Sequence, residues 1–236
     1  LNNPLETYLR DLRDIRSSGS AVKETSYYGS LEKLFNAIGK NLKPRVRCII
    51  NLQNRGAGIP DGGFFSADQF QKSSAAQPLP GLLPSRGAME VKGTGEEVDK
   101  IKASQQVAKY LGKYGLALVT NLRDFLLVGK DSSGDVEVLE SYRLADNEAS
   151  FWSAAADPQK AAEIHGERFN EFLKRVLQRN APLEKPADVA WFLASYARDA
   201  KARIEHAELD QLATIRAALE EALGVKFEGD KGQRWV

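Results

Sequence analysis

The apolar pattern of this chain changes period near residue 146, and that change limits the possible folds more than any other feature. Before it, strand-sized apolar runs such as 116–120 alternate with segments of helical period. After it, segments 158–178, 187–205 and 208–223 are all helical in pattern, with Pro182 and Pro186 separating two of them. No run approaches the ~20 apolar residues of a membrane span. The 236 residues suit one or two domains at roughly 100–200 residues each. The expectation is an α/β domain over 1–145 and an all-helical segment over 146–236.

Within the first part, 24–39 reads as an amphipathic helix, with Tyr27, Leu31, Leu34, Phe35 and Ile38 at helical spacing and Gly39 as its stop. Residues 45–52 read as a strand. Gly56, Gly58, Pro60, Gly62 and Gly63 then mark a tight turn, and Phe64-Phe65 a short strand. The Ser-, Ala-, Gln- and Pro-rich stretch 66–86 reads as a long mobile loop of the kind that often carries function. Residues 87–93 read as a strand and 97–114 as a helix. A hairpin follows over 116–120 and 124–128, and a last strand over 135–143.

Cysteine and histidine usage narrows the chemistry. The single cysteine, Cys48, excludes an intrachain disulfide and a cysteine metal cluster, and it lies in a strand that reads as buried and inert. Only His165 and His206 remain for a histidine site, and neither is assigned a role. Trp152, Trp191, Phe192 and Tyr196 suit packing better than base stacking. With no signal peptide visible, the expected setting is cytoplasmic. The chain starts at Leu1 and its one methionine is Met89, so a piece of a longer polypeptide is expected. Charge is uneven: residues 1–130 carry +7 and 131–236 carry −6, within a net +1. The basic half points to an anionic partner such as nucleic acid, or to chance.

The chemistry-bearing residues are Pro60-Asp61 and Glu90-Val91-Lys92. Side chains alternate along a strand, so Glu90 and Lys92 share a face, and Val91 offers its carbonyl. With Asp61 on the neighbouring strand, two carboxylates and an ammonium converge. Magnesium takes one or two carboxylates plus waters and phosphate oxygens, and Lys92 is suited to stabilising negative charge. Alone, Glu-x-Lys reads as a solvated ion pair worth ~0–1 kcal/mol. On a helical wheel with Leu31 at zero and about 100° per residue, Glu24 falls near +20°, inside the apolar stripe, and Glu32 near 100°, outside it. A carboxylate so aimed needs a partner or a metal, unless it stays wet at the helix start. On the second helix, with Val107 at zero, Ala103 and Leu111 flank the buried stripe. Tyr110 lies near −60° and Gln106 near −100°, beside Lys102, Lys109 and Lys113 at about −120° to −160°. That flank suits phosphates, or is a solvated lysine face.

Together these residues resemble the PD-(D/E)xK nuclease superfamily: Glu24 in a first helix, Pro60-Asp61, Glu90-Val91-Lys92, then Gln106-x-x-x-Tyr110, like the QxxxY motif of its RecB-like branch. The stretches 24–31, 58–62, 89–93, 104–110 and 118–125 are more closely similar to the amino-terminal nuclease region of single-chain restriction-modification enzymes (types IIG and ISP), and the resemblance covers about residues 20–145. It implies a restriction-endonuclease-like core, a mixed central sheet flanked by helices. It implies metal ligation by Asp61, Glu90 and the Val91 carbonyl, with Lys92 as the catalytic lysine and Glu24, Gln106 and Tyr110 completing the site. The implied cofactor is magnesium, with manganese able to substitute, and the implied partner is double-stranded DNA. The implied function is phage defence by phosphodiester hydrolysis with a metal-activated water. The methyltransferase and target-recognition domains of the same polypeptide are missing here, since no Asn/Asp-Pro-Pro-Tyr/Phe motif occurs. The 29 residues from Asp61 to Glu90, including the 66–86 stretch, depart from the family pattern. Residues 146–236 resemble a helical connector only loosely. The rival readings are a RecB-like repair nuclease or resolvase, and a non-catalytic DNA-binding or docking module.

Overall fold

The structure, a computed structural model, describes residues 3–19, 24–71, 74–78, 81–183 and 185–205, with eight further residues between 213 and 224. The chain divides into two compact units, Leu1–Ala181 and Pro182–Val236. The change of sequence period at 146 is thus a change of element type rather than the edge of the first unit.

The first unit is built on a six-stranded mixed sheet of order β1-β2-β5-β6-β7-β8. Its strands are β1 (Val46–Ile50), β2 (Gly62–Ser66), β5 (Ala88–Val91), β6 (Ala117–Thr120), β7 (Asp124–Lys130) and β8 (Val136–Arg143). Pairing is antiparallel except between β5 and β6, where Ala88 lies against Ala117 and Val91 against Thr120. A parallel pair needs a crossover. Helices α3 (Val98–Lys102) and α4 (Gln105–Tyr114) supply it. The expected single helix over 97–114 is two: Ser104 leaves helical geometry, and its hydroxyl accepts the Val107 N–H as an N-cap. Ala103, at the break, is exposed rather than part of the buried stripe.

Two cores lie on opposite faces of the sheet, as strand alternation requires. On one face Cys48, Phe64, Met89, Val91, Leu118, Phe125 and Leu127 meet α1 (Pro4–Ser17), α2 (Tyr28–Gly39), α5 (Glu148–Ala156) and α6 (Pro158–Gln178). On the other, Ala88, Ala117, Val119, Leu126 and Val128 meet α3, α4 and Ala57 of the β1–β2 loop. Helix α1 was not expected. It starts on an Asn3 cap with Pro4 behind it, buries Leu5, Tyr8, Leu9 and Leu12, and ties to the β6–β7 turn through the Tyr8 hydroxyl on the Leu122 carbonyl, 2.9 Å.

The 66–86 stretch is not structureless. A 3-10 turn (Ala67–Gln69) closes with a Ser66–Gln69 capping box. Strands β3 (Phe70–Gln71) and β4 (Ser74–Pro78) then form a separate two-stranded sheet. At the opposite sheet end from the β5 C-terminus, β7 and β8 are joined by an exposed turn at 131–135. Asp131 accepts the Ser133 and Asp135 N–H groups there, and Gly134 takes φ +89°.

This is an α/β fold with a restriction-endonuclease-like arrangement, a mixed sheet flanked by helices and followed by a helical part. In the second unit the described helix is α7 (Pro186–Glu205), where Trp191 and Phe192 pack edge to face. The expected helix at 208–223 falls largely outside the described residues, and so does His206. Trp152 packs against the first core with Arg16 over its ring. Cys48 is buried, and that burial pushes its thiol pKa up. Among the described residues no helix is long and apolar enough to cross a membrane.

Candidate active site

The C-terminal end of β5 gathers the acidic and basic groups. Asp61 ends the β1–β2 loop, and its own backbone N–H reaches the Met89 carbonyl at 3.1 Å. Its carboxylate Oδ2 accepts the Val91 N–H at 2.8 Å, so it lies against the strand that carries Glu90. Lys92 Nζ donates to Glu90 Oε1 at 2.6 Å and to the Val91 carbonyl at 3.2 Å. Alternation on one strand brings Glu90 and Lys92 to the same face, while Val91 turns into the larger core.

The electrostatics are those of an anionic pocket with one resident cation. Burial raises the Glu90 pKa; the Lys92 hydrogen bond opposes this and the Asp61 charge adds to it, leaving the carboxyl above its ordinary value. Burial alone would lower the Lys92 pKa, but the Glu90 hydrogen bond outweighs it together with the charges of Glu90, Asp61 and Glu24. Lys92 is thus held as an ammonium.

Glu24 begins a 3-10 turn (Glu24–Tyr27) rather than the first turn of an α-helix, and it is half-buried. Its charge acts on Lys92 and on Tyr28. Tyr28 is a site neighbour that reading the sequence missed. It is buried, and its phenol pKa is pushed well up by that burial, then by a hydrogen bond to Asp61 and the charges of Asp61, Glu24 and Glu90. It stays a protonated donor. No sequence signal separates it from the aromatic residues that line the same helix.

Gln106 and Tyr110 sit under the β1–β2 loop. Gln106 Nε2 donates to the Ala57 carbonyl at 2.8 Å, and the Tyr110 hydroxyl donates to the Ile59 carbonyl at 2.9 Å. These two side chains thus hold, by its carbonyls, the segment that delivers Asp61. Gly56 and Gly58 both take φ +93°, and a Cβ at Gly58 would collide with the Gln106 amide. Of the three expected phosphate-facing lysines, Lys109 and Lys113 are exposed on α4. Lys102 is on α3 instead and pairs with Asp99 at 2.7 Å, which offsets its charge.

The segment after Lys92 is pinned as well. Arg123 Nε donates to the Thr94 carbonyl at 3.1 Å, and Asn121 Nδ2 donates to the Glu96 carbonyl at 2.8 Å. Arg123 and Arg143 both pair with the buried Asp124. Asn121, Arg123 and Asp124 lie within the 118–125 stretch singled out in the sequence, Arg143 joins them from β8, and together they hold the turn on which the strand end rests.

The donor set fits a hard divalent cation. Asp61, Glu90 and the Val91 carbonyl are all oxygen donors, and two of them already converge on the Lys92 ammonium. Among the described residues no three His, Cys, Asp or Glu side chains gather in a metal-holding group. Asp61, Glu90 and the Val91 carbonyl would therefore hold the ion together with water and substrate oxygens, as magnesium accepts.

No family model matches the chain, and no curated protein matches it. Among solved structures it is similar to a DrdV–DNA complex seen by cryo-electron microscopy. Identity is 18%, the alignment covers 65% of this chain and 96% of that chain, and the TM-score is 0.43. That likeness is too distant to carry an inference.

Proposed function

We propose that this chain is a magnesium-dependent DNA endonuclease domain of a restriction-modification enzyme, acting with methyltransferase and target-recognition domains of the same polypeptide. The observation that carries it is the convergence of Asp61, Glu90 and Lys92 at one strand end, with Oδ2 of Asp61 on the Val91 N–H. Double-stranded DNA is the substrate, and manganese substitutes for magnesium. When bound, the ion supplies Lewis-acid polarisation of the phosphodiester and eases deprotonation of the attacking water.

The chain's own residues do the rest. Asp61 and Glu90 supply the anionic oxygens, fixed by β-sheet geometry before substrate arrives. Lys92, held protonated by Glu90 and its neighbours, stabilises the charge that builds on the phosphoryl oxygens and does not act as a base. Tyr28, a buried and protonated phenol whose pKa feels Asp61, is suited to donate to that carboxylate. Gln106 and Tyr110 act through the backbone of 57–59 and are positioning residues. Lys109 and Lys113 give backbone affinity without sequence preference.

The test is nicking of supercoiled plasmid by the full chain with magnesium or manganese, against Lys92→Ala and Asp61→Ala. Nicking needs both the ion and Lys92, and each variant loses at least about 10²-fold while keeping its fold and duplex binding. Metal-dependent nicking that survives in either variant overturns the reading. Duplex binding with neither nicking nor manganese uptake by calorimetry identifies a docking module instead.

A further inference from the structure

The β1–β2 loop, residues 51–61, is oddly built for a connection. Its last two residues before Asp61 are the buried Pro60 and the exposed Ile59, 65% accessible. A lone exposed isoleucine is ordinary on a mobile loop. Here it is not free to fold back: its own carbonyl is held by Tyr110 and the Ala57 carbonyl by Gln106. Asn54 Oδ1 accepts the Gly56 N–H at 2.8 Å, and the Asn51 N–H reaches the Asp61 carbonyl at 2.8 Å, closing the base of the loop. The backbone is therefore set by side chains beneath it, and the apolar side chain is presented outward two residues from a candidate metal ligand.

The rim beside it is basic. Arg55 is exposed, and its charge is felt at Tyr114, the last residue of α4, where it opposes the effect of burial on that phenol. Lys109 and Lys113 lie three residues beyond Gln106 and Tyr110, so they are neighbours of those side chains on the helix surface. An acidic pocket is thus bordered by a cationic edge and a rigid apolar tip. Duplex DNA offers the complement: phosphates for the cations and apolar deoxyribose edges, at the minor groove, for the tip.

We propose that the 52–59 segment is a preorganised duplex-DNA contact, with Ile59 packed on the sugar edge of the strand to be cut and Arg55 on its phosphates. This rests on the nuclease reading above and adds to it a binding element outside the catalytic group. Preorganisation matters because a loop already held in its bound form loses little entropy on binding.

The experiment is fluorescence anisotropy of a labelled duplex with the full chain in calcium buffer, run beside the plasmid-nicking assay. Ile59→Ala weakens duplex binding about fivefold, a modest fraction of what one apolar side chain can give. Ile59→Leu restores it, and thermal melting is unchanged in both. Arg55→Gln lowers the salt slope of log K by about one. In nicking, Ile59→Ala and Arg55→Gln raise KM and leave kcat intact. Ile59→Ala and Ile59→Asp variants that bind as the parent does overturn the inference, and if the parent still nicks, the nuclease reading stands without it. A parent that neither binds nor nicks overturns both. A change in sedimentation instead of affinity assigns Ile59 to a protein contact and likewise overturns it.

Discussion

The two faces of the sheet are covered very differently. One is packed by four helices and a dense set of aromatic rings, among them Phe35 on Phe64 and Phe125 on Phe169. The other is covered by α3 and α4 with Ala57 of the β1–β2 loop, over small and branched residues such as Ala88, Ala117 and Val119. Glu90 follows Ala88 by two along β5 and so lies on the thin side. Glu24 and Tyr28 come from the thick side, Gln106 and Tyr110 from the thin side. The candidate site occupies the sheet end where both layers reach. The thick face holds most of the buried aromatic and aliphatic side chains, and the thin face carries the helix whose Gln106 and Tyr110 hold residues 57–59.

Truncation on the thick face has the largest effect. Phe169→Ala removes a fully buried ring and costs about 3–5 kcal/mol. Thermal melting shows a fall of roughly 6–20 °C at about 2–4 °C per kcal/mol for a chain this size, and nicking per folded molecule is unchanged. A melting loss of only ~1 kcal/mol would break the contrast. On the thin face, Leu111→Ala costs about 2–3 kcal/mol but lowers nicking per folded molecule as well, because α4 carries the side chains that hold 57–59. Urea unfolding paired with nicking at a fixed folded fraction separates the two. Gln106→Ala is milder, at about 1 kcal/mol for one hydrogen bond. Its kcat/KM falls roughly tenfold, on the scale of a modest misplacement of a reacting group. Equal stability and activity losses would make Gln106 merely structural.

The smallest effect concerns pH and sits on the thick face. Burial, with the nearby Arg168 charge, lowers the His165 pKa from its ordinary 6.5. The unfolded chain therefore takes up the extra proton more readily than the folded one. Stability is held above pH 6.5 and lost as pH falls through the lowered folded value. Urea midpoints between pH 7 and 5 show the decline, and His165→Gln flattens it. A midpoint that rises on acidification contradicts the assignment of burial as the cause.

Much of this was legible in the chain. The facing of Glu90 and Lys92 follows from strand alternation, while the meeting of Asp61 with Glu90 was expected from the family resemblance rather than from spacing. Helix α1 was not expected although its signal is present, since Asn3-Pro4 and Leu5, Tyr8, Leu9, Leu12 form a cap and a stripe. The break at Ser104 has a cap residue too, but it is masked by apolar spacing that continues across it. Other features had no local signal. Strands β3 and β4, Phe-Gln and Ser-Ala-Ala-Gln-Pro, carry no alternating apolar pattern, and their pairing depends on partners. The roles of Gln106 and Tyr110 depend on carbonyls some fifty positions earlier in the chain, at 49 and 51 residues. Tyr28 differs from its helical neighbours only by what it meets in space.

The turn at 131–135 has a practical consequence. It joins β7 and β8 at the sheet end remote from Glu90, it is exposed, and its form is set by one aspartate and one glycine rather than by core packing. A dye or a surface tether placed at Ser132 or Ser133 would leave the opposite rim clear. Single molecules anchored there would present that rim to DNA in solution, so residence times could be recorded without the tether competing for the same surface.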